Sequence, residues 1–538
     1  MQNLAKCSNM RGSWTVGLVA ALLVILAAGP LMLHPDKAAI GGGKGDFASI
    51  AWGLWSVSQA WPGLPSIFNQ NVLVPEGVTI LIADLPFAWL LGPFTRWFGP
   101  VVSYNLFQVL HVALAAAICW LLLRDLGRSK IAAATGAAAF SFSPLLLSGL
   151  HNGNPDVTPI FALPLTAWFC RRLTNGPIWA LGLGLVVGMS AWLNPYVGVM
   201  SAIVATIMVI AERPSRGLKG ILLAGMVALL VAGTYVLLVS TSLHGPQPLQ
   251  LKTGPRPISA GVAHLFGYMW PAFEHPRDPW VSHGWYLGLS TVGLALWGAR
   301  SGWVTHKRWY VMIGIGLILA MGAVLHISDT PVTRGDQSYV FLPGAYLQML
   351  PGMDHLQIVY RYSALVCFAV AALAAHGVDR LPSTRLSAMA LMLVLVDLLG
   401  PAKGWTQIEA GAVAMDSTCD LVGTLPEGPV IDYPFTVDER WLLAQTCHMR
   451  PVAAGINKKA TKQVSQLMQH TNAPPFKKLN SLGFAFLVLH MDLQSQSPRD
   501  QTKVSQLFTW AEQEDRIVQS DPSIAIVDLR KNTVKADN

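Results

Sequence analysis

Long apolar segments recur along the first 400 residues, and short basic loops separate them. A helix of about twenty apolar residues spans a bilayer, so this pattern predicts membrane-spanning helices. The first segment, 14–33, is as long as a full span, and we expect it to be retained rather than cleaved as a signal peptide. Ten further spans are predicted at 101–123, 131–147, 158–170, 178–193, 197–211, 221–240, 285–298, 309–326, 363–377 and 386–399.

One apolar stretch, 78–98, does not fit the pattern of a span. It contains Asp84, Pro86, Pro93 and Arg96, so a helix lying along the membrane interface is favoured over a crossing one. With this stretch left out, the basic clusters after each second span all fall on the side of Lys6 and Arg11. Positive charge collects on the cytoplasmic side. The sequence therefore predicts about eleven spans, with the N-terminus inside and the C-terminus outside.

Composition agrees with a membrane protein. Of 538 residues, 52% are hydrophobic and only 12% are charged, whereas soluble domains carry about 25% charged residues. This excludes a disordered chain, a coiled coil and an ordinary cytosolic enzyme. The net charge of +8 comes in large part from the short basic loops, so we expect no nucleic-acid partner.

The residues after 400 are more polar. Strand-like runs at 429–434, 484–490 and 524–529 alternate with helix-like stretches at 437–447 and 501–514, which is typical of a small α/β unit. We therefore expect a membrane domain, 1–400, with a first outer loop at 34–100, and an outer α/β domain, 401–538. In a bacterial inner membrane this orientation places the second domain in the periplasm.

Two of the six cysteines fall in the predicted outer domain, and the others lie in spans or on the inner side. Cys419 and Cys447 either form one disulfide, as an oxidising compartment favours, or remain separate thiols. Cys119, Cys170 and Cys367 are expected to behave as small hydrophobic residues. No spacing of Cys and His predicts a metal site.

The first outer loop contains the leading candidate for catalysis. A glycine tract, 41–45, precedes Asp46, and apolar residues at helical spacing follow it. Asp46 is then either the N-cap of a short amphipathic helix or a general base held at the membrane surface.

Other polar residues are expected on the same side of the membrane. Candidates for substrate binding are Glu76, His151, Asn154, Asp156, His275, Asp278 and Arg361. Most have an alternative: Asp156 is a helix cap, His151 is an interfacial histidine, and the loop 241–284, which contains His275 and Asp278, is an aromatic belt. Arg361 is alternatively a side chain that reaches the headgroups. Ionisable groups at membrane depth are functional candidates by default. The sequence contains no GxSxG, P-loop, HExxH or GxGxxG motif.

The order of these features along the sequence resembles that in the GT-C superfamily of polytopic glycosyltransferases. More narrowly, the sequence is similar to a bacterial, largely uncharacterised group of that superfamily. The resemblance rests on Gly45-Asp46 with its Trp-rich helix, on 69–77, and on Tyr104-Asn105-Leu106 at the start of a span. It continues through Leu123-Arg124-Asp125-Leu126-Gly127, Phe142-Ser143-Pro144 before His151, and Leu350-Pro351-Gly352 before Arg361-Tyr362.

The resemblance implies a mainly α, GT-C-type helical bundle. It also implies transfer of a sugar from a polyprenyl-phosphate donor to an envelope acceptor on the outer face, with Asp46 as base. Membrane lipids are expected partners, no cofactor is required, and a divalent cation is compatible. Many GT-C members have paired acids in the first loop, whereas Phe47 and Ala48 follow Asp46 here. Two alternatives remain: a lipid or polysaccharide transporter or flippase, and a non-catalytic assembly protein whose C-terminal domain binds envelope partners.

Overall fold

The computed structural model describes most of the chain. Outside the description lie residues 1, 30–32, 44, 67, 80–83, 213–216, 243–285, 301–302, 328–329, 336–337, 350–355, 357, 400–407, 409, 414–417, 436–439, 456–459, 471–472, 492–497, 521 and 532–538.

Fifteen α-helices are described in the first 400 residues. They are α1 Gln2–Ala27, α2 Phe47–Ala60, α3 Leu85–Leu90, α4 Gly92–Asp125, α5 Lys130–Ser141, α6 Pro144–His151, α7 Ala162–Arg172, α8 Pro177–Leu193, α9 Pro195–Glu212, α10 Leu218–Ser242, α11 Leu289–Ala299, α12 Trp303–Ala320, α13 Pro343–Gln348, α14 Ser363–Asp379 and α15 Thr384–Leu399. Three short 3-10 helices, Pro155–Phe161, Leu173–Asn175 and Val359–Tyr362, interrupt the series.

Each of the eleven predicted spans contains a helix, because apolar periodicity is a local signal. By length and apolar composition, five described helical segments are able to cross a membrane: Met10–Ala27, Gly92–Asp125, Pro195–Glu212, Leu218–Leu238 and Val359–Asp379. A sixth is the pair α5 and α6, bent by 43°. The total of eleven spans stays a prediction.

The stretch 78–98 is broken, as its prolines and charges suggested. It begins with a strand, Val78–Thr79, and continues through Asp84, whose φ is 55°, into α3. The next helix, α4, changes direction at Gly99, where φ is 80°. The described part of this stretch is therefore not one continuous helix.

The chain divides into two compact units. Unit 1 comprises 1–45, 83–87 and 105–412, and unit 2 comprises 46–82, 88–104 and 413–538. In unit 1, α14 is almost wholly buried and packs against α5, α11 and α12. A Cβ on Gly377 would lie 2.0 Å from the carbonyl oxygen of Leu294, so only glycine permits this approach of α14 to α11.

Among the described residues, ten strands form four small sheets. They are β1 Ala38–Ile40, β2 Phe68–Asn69, β3 Val78–Thr79, β4 His326–Ile327, β5 Thr330–Pro331, β6 Ala410–Ala412, β7 Val430–Tyr433, β8 Phe486–His490, β9 Ile517–Ser520 and β10 Ile524–Asp528. β1 pairs antiparallel with β6 inside unit 1. Pairs β2–β3 and β4–β5 are short antiparallel ladders.

Unit 2 contains the largest sheet, with strand order β7-β8-β10-β9. β7 and β8 run parallel, and the other neighbours are antiparallel. The helices of this region are α16 Thr418–Thr424, α17 Arg440–His448, α18 Lys462–His470, α19 Phe476–Ser481 and α20 Pro498–Gln513. The three strands and two helices predicted from the sequence are all present, and β9 is an additional strand.

Most of the first loop, residues 46–82 and 88–100, also belongs to unit 2. The indole N–H of Trp52 donates to Oε1 of Gln445 over 2.7 Å, and Nε2 of Gln445 donates to the carbonyl of Asn71 over 2.8 Å. Trp52 and Val72 share a buried cluster with Trp441, Leu442 and Val452. Residues 46–82 therefore share a hydrophobic core with residues after 412.

Candidate active site

The chain just before the glycine tract is fixed by one side chain of α4. Asn105 is 2% exposed, and its Oδ1 accepts a hydrogen bond from the N–H of Ile40 over 2.9 Å. Its Nδ2 donates to the carbonyls of Pro35 and Ala38 over 3.0 and 2.7 Å. The buried amide of Asn105 uses both its oxygen and its nitrogen in these three bonds. It therefore holds β1 in one place.

The glycine tract itself packs against the turn that follows α6. Gly41 and Gly45 have φ of 84° and 59°, a region that favours glycine. A Cβ on Gly41 would lie 2.4 Å from the Cα and N of Gly153, and one on Gly45 would lie 2.4 Å from the carbonyl oxygen of Asn152. Side chains would not fit, so the backbone of the tract lies directly on this turn.

Asp46 is the next residue and begins α2. Its carbonyl accepts hydrogen bonds from the N–H of Ile50 and from the hydroxyl of Ser49, but its side chain makes no capping bond. The residue as a whole is half-buried. Phe47 stacks edge-on against Tyr104, with ring centroids 4.8 Å apart. Tyr104 therefore packs against the residue that follows Asp46.

Glu76, the rival acid predicted in the same loop, is exposed. Its N–H donates to the carbonyl of Leu73 in a turn. Predicted residues His275 and Asp278 lie outside the described residues.

The turn predicted to bind substrate joins α6 to the 3-10 helix Pro155–Phe161. His151 ends α6 and is half-buried. The N–H of Asn154 donates to the carbonyl of Gly149 over 2.8 Å, and its Oδ1 is buried with no hydrogen-bond partner among the described residues. Asp156 lies in the first turn of the 3-10 helix, and its side chain is outside the described part.

Arg361 is placed in the 3-10 helix before α14 and is 5% exposed. Its guanidinium lies 4.9 Å from the ring centroid of Tyr196, and the hydroxyl of Tyr196 accepts a 2.6 Å hydrogen bond from the N–H of Ile358. The ring of Tyr362 lies 5.6 Å from that of Tyr196, and its hydroxyl is buried without a hydrogen-bond partner in the described structure. A buried cation beside aromatic rings is suited to an anionic group.

The sequence did not reveal that Asp84 and His111 are a pair. They are 3% and 0% exposed, and Oδ2 of Asp84 lies 2.9 Å from Nε2 of His111. The available signals were an acid in the broken apolar stretch and a histidine within a predicted span. Neither signal indicates which distant residue is the partner.

Asp397, the most conspicuous charge in a predicted span, has a structural role. Its Oδ2 accepts hydrogen bonds from the N–H and hydroxyl of Ser290, over 2.9 and 2.7 Å, and its Oδ1 accepts one from Tyr286. It thereby caps the first turn of α11.

Two further features bear on the predicted chemistry. Cys419 and Cys447 form a disulfide, with Cα atoms 5.7 Å apart. Within the described residues, no three His, Cys, Asp or Glu side chains are grouped so that they could hold a metal ion. Of the predicted site residues, Asn154 and Arg361 belong to unit 1, whereas Asp46 belongs to unit 2.

The similarities between this chain and solved structures concern the fold. Two structures of the arabinofuranosyltransferase AftD from Mycobacteria match with TM-scores of 0.62 and 0.63 at 14% identity. They cover 97% of this chain but only 40% and 42% of theirs, so the chain spans less than half of AftD. The oligosaccharyltransferase AglB from Archaeoglobus fulgidus matches with a TM-score of 0.45 at 12% identity, over 96% of this chain and 74% of that one.

The predicted GT-C-type fold is confirmed by the similarity to AftD. Helices that are long and apolar enough to cross a membrane support an integral membrane protein. A comparison with curated proteins finds no match. One family profile, described as a domain of unknown function (DUF6311), matches residues 17–399. The chain therefore belongs to the DUF6311 family.

Proposed function

We propose that this protein is a membrane glycosyltransferase that moves a sugar from a polyprenyl-phosphate donor to a hydroxyl of an envelope acceptor. The observation that carries the proposal is the fixation of Asp46. Asn105 binds the strand before it, Tyr104 packs against the residue after it, and its carboxylate does not cap α2. A carboxylate at the start of a helix, in a loop predicted to lie at the membrane surface, is suited to act as a general base.

The chemistry is a displacement at the anomeric carbon. Asp46 takes the proton of the acceptor hydroxyl, the acceptor oxygen bonds to the anomeric carbon, and the bond from that carbon to the phosphate oxygen breaks. The product sugar has inverted configuration, and polyprenyl phosphate leaves with the bonding electron pair. The reaction needs no nucleotide, and nothing in it requires a divalent cation.

Two groups of unit 1 suit the donor. The guanidinium of Arg361, held over Tyr196, offsets the charge that develops on the leaving phosphate. The buried Oδ1 of Asn154 accepts a hydrogen bond from a sugar hydroxyl, which satisfies an acceptor that is expensive to leave unpaired. His151 and Asp156, in the same turn, and His275 and Asp278 are proposed to assist in binding.

The orientation remains part of the proposal. Basic loops on one side favour a cytoplasmic N-terminus and an outer C-terminus in a bacterial inner membrane. The disulfide between Cys419 and Cys447 supports an oxidising compartment for that region. Membrane lipids and the lipid-linked donor are the proposed partners.

The test is Asp46→Asn in purified, reconstituted protein, with radiolabelled polyprenyl-phosphate pentoses and hexoses and total envelope acceptors. Loss of the base should reduce transfer by about 10²–10⁴-fold. The matched control is Asp36→Asn, the same change at an exposed position of the same loop, which should leave transfer unchanged. Full activity of Asp46→Asn would reject Asp46 as base, and Glu76→Gln then tests the rival acid.

A further inference from the structure

A stripe of buried polar side chains runs along one side of α4. Asn105, Gln108 and His111 follow one another at intervals of three residues and are 2%, 0% and 0% exposed. Residues at this spacing share a face of a helix. His111 lies about midway between the kink at Gly99 and the basic end at Arg124, so it is deep within the helix rather than at its end.

His111 joins two segments that are distant in the sequence. Its Nε2 faces the carboxylate of Asp84 at 2.9 Å, and its Nδ1 lies 3.1 Å from the hydroxyl of Thr158. A carboxylate beside Nε2 favours a proton on that nitrogen, which leaves Nδ1 to accept the hydrogen of Thr158. The two nitrogens therefore have separate partners.

Aromatic rings surround the imidazole on the remaining sides. Phe87 and Phe107 have ring centroids 4.7 and 4.2 Å from it, and Phe161 stacks on it at 5.7 Å with an interplanar angle of 20°. Thr158 and Phe161 both belong to the 3-10 helix Pro155–Phe161. The histidine thus contacts this helix through one hydrogen bond and one ring stack.

The segment around Asp84 is itself anchored. The N–H of Asp84 donates to the carbonyl of Leu193 over 3.1 Å, and its carbonyl accepts from the N–H of Phe87 over 3.1 Å. Leu193 ends α8. Through Asp84, the imidazole is therefore connected to the end of a second long helix.

We propose that His111 is a positioning residue that fixes the turn 152–161 for donor binding. The proposal rests on the proposed function, since that turn carries Asn154 and Asp156. The pair with Asp84 sets the position and tautomer of the imidazole, and the imidazole holds Thr158 and Phe161. The start of the 3-10 helix, and with it the acceptor oxygen of Asn154, then stays in one place. No substrate atom touches His111, which is fully buried.

The mildest test is Thr158→Val, which removes the hydroxyl and keeps the shape. The matched control is Thr135→Val in α5, where the buried hydroxyl bonds only to the helix carbonyl of Ile131 among the described contacts. With the best donor of the panel, Thr158→Val should raise KM about tenfold and change kcat less than threefold. Thr135→Val should change neither value. An unchanged KM, or equal effects of the two variants, would overturn the proposal.

A second readout does not depend on activity. Amide hydrogen exchange of residues 152–161 should be roughly fivefold faster in Thr158→Val, the ratio expected for one lost hydrogen bond of ordinary strength. His111→Ala should accelerate it further, and His111→Gln, whose amide can reach both partners, should restore part of the protection. Exchange in this segment that Thr158→Val leaves unchanged would reject the positioning role. If exchange is faster in Thr158→Val but the wild type transfers no sugar from any donor, the result would instead reject the proposed function.

Discussion

The N–H of Ile40 donates a 2.9 Å hydrogen bond to Oδ1 of Asn105, 65 residues later in the chain. Two further bonds from the Asn105 amide to backbone carbonyls complete the contact. A single side chain in α4 thus determines where the strand before the glycine tract lies. This arrangement explains the polar residue at a position that would otherwise suit an apolar one.

Asn105→Ala should lower both stability and activity. It removes three buried hydrogen bonds, each worth about 1 kcal/mol net, and leaves their backbone partners unsatisfied. Asn105→Asp should be no better, because a carboxylate cannot donate to Pro35 and Ala38. Thermal unfolding in detergent and initial transfer rates provide the measurement. Ser103→Ala, which removes only a bond to the carbonyl of Gly99 in the same helix, is the control, and an equal effect there would contradict the prediction.

Gly41→Ala should disturb the protein more than Gly43→Ala. Both glycines have positive φ, 84° and 70°, so both changes carry a similar backbone strain of about 1 kcal/mol. Only at Gly41 would the new Cβ lie 2.4 Å from the backbone of Gly153, whereas at Gly43 no described atom lies within 4 Å. Melting temperature and transfer rate should fall further for Gly41→Ala. Equal losses would mean that the tract does not pack on the turn.

Loss of the disulfide should destabilise the region that contains it. Cys419 and Cys447 are separated by 28 positions, and closure of a loop of this length stabilises a fold by about 3–4 kcal/mol in the chain-entropy description. The double variant to Ser should therefore unfold at lower temperature. In cells, both thiols should become alkylatable only after reduction, as expected of an oxidising compartment. Direct alkylation without reduction would contradict the outer location.

His448 should make stability depend on pH. Burial lowers the pKa of this imidazole, in part opposed by the charge of Asp432, and its Nδ1 accepts a hydrogen bond from the N–H of Arg450 that protonation would remove. A group with a lowered folded-state pKa binds fewer protons in the folded state, so stability is lost as pH falls below about 6.5, the ordinary value. Unfolding of wild type and His448→Gln between pH 5 and 7.5 measures this. As pH falls, the stability of the variant should decline less than that of the wild type. Identical pH profiles of the two proteins would contradict the assignment.

Local patterns in the sequence were sufficient to predict the helices of the apolar segments and three strands of the largest described sheet. Each of the eleven apolar segments contains a described helix, and the strand-like runs of the last third correspond to β7, β8 and β10, because hydrophobic period and length act over neighbouring residues. The two cysteines outside the predicted spans and inner loops form the disulfide. The glycine tract before Asp46 likewise lies where the backbone packs closely on another segment, which leaves no room for side chains. The catalytic role of Asp46 stays a prediction.

Only the tertiary structure decided which distant residues meet. Asn105 lies 65 positions from Ile40, and Trp52 lies 393 positions from Gln445. His111 lies 27 positions from Asp84 and 47 positions from Thr158. A buried polar group needs a partner, but no spacing rule says from which segment that partner comes. The same holds for the division of the chain, in which the first loop shares a core with residues after 412. Such pairings depend on how the helices pack in three dimensions, which the periodicity of a single segment does not determine.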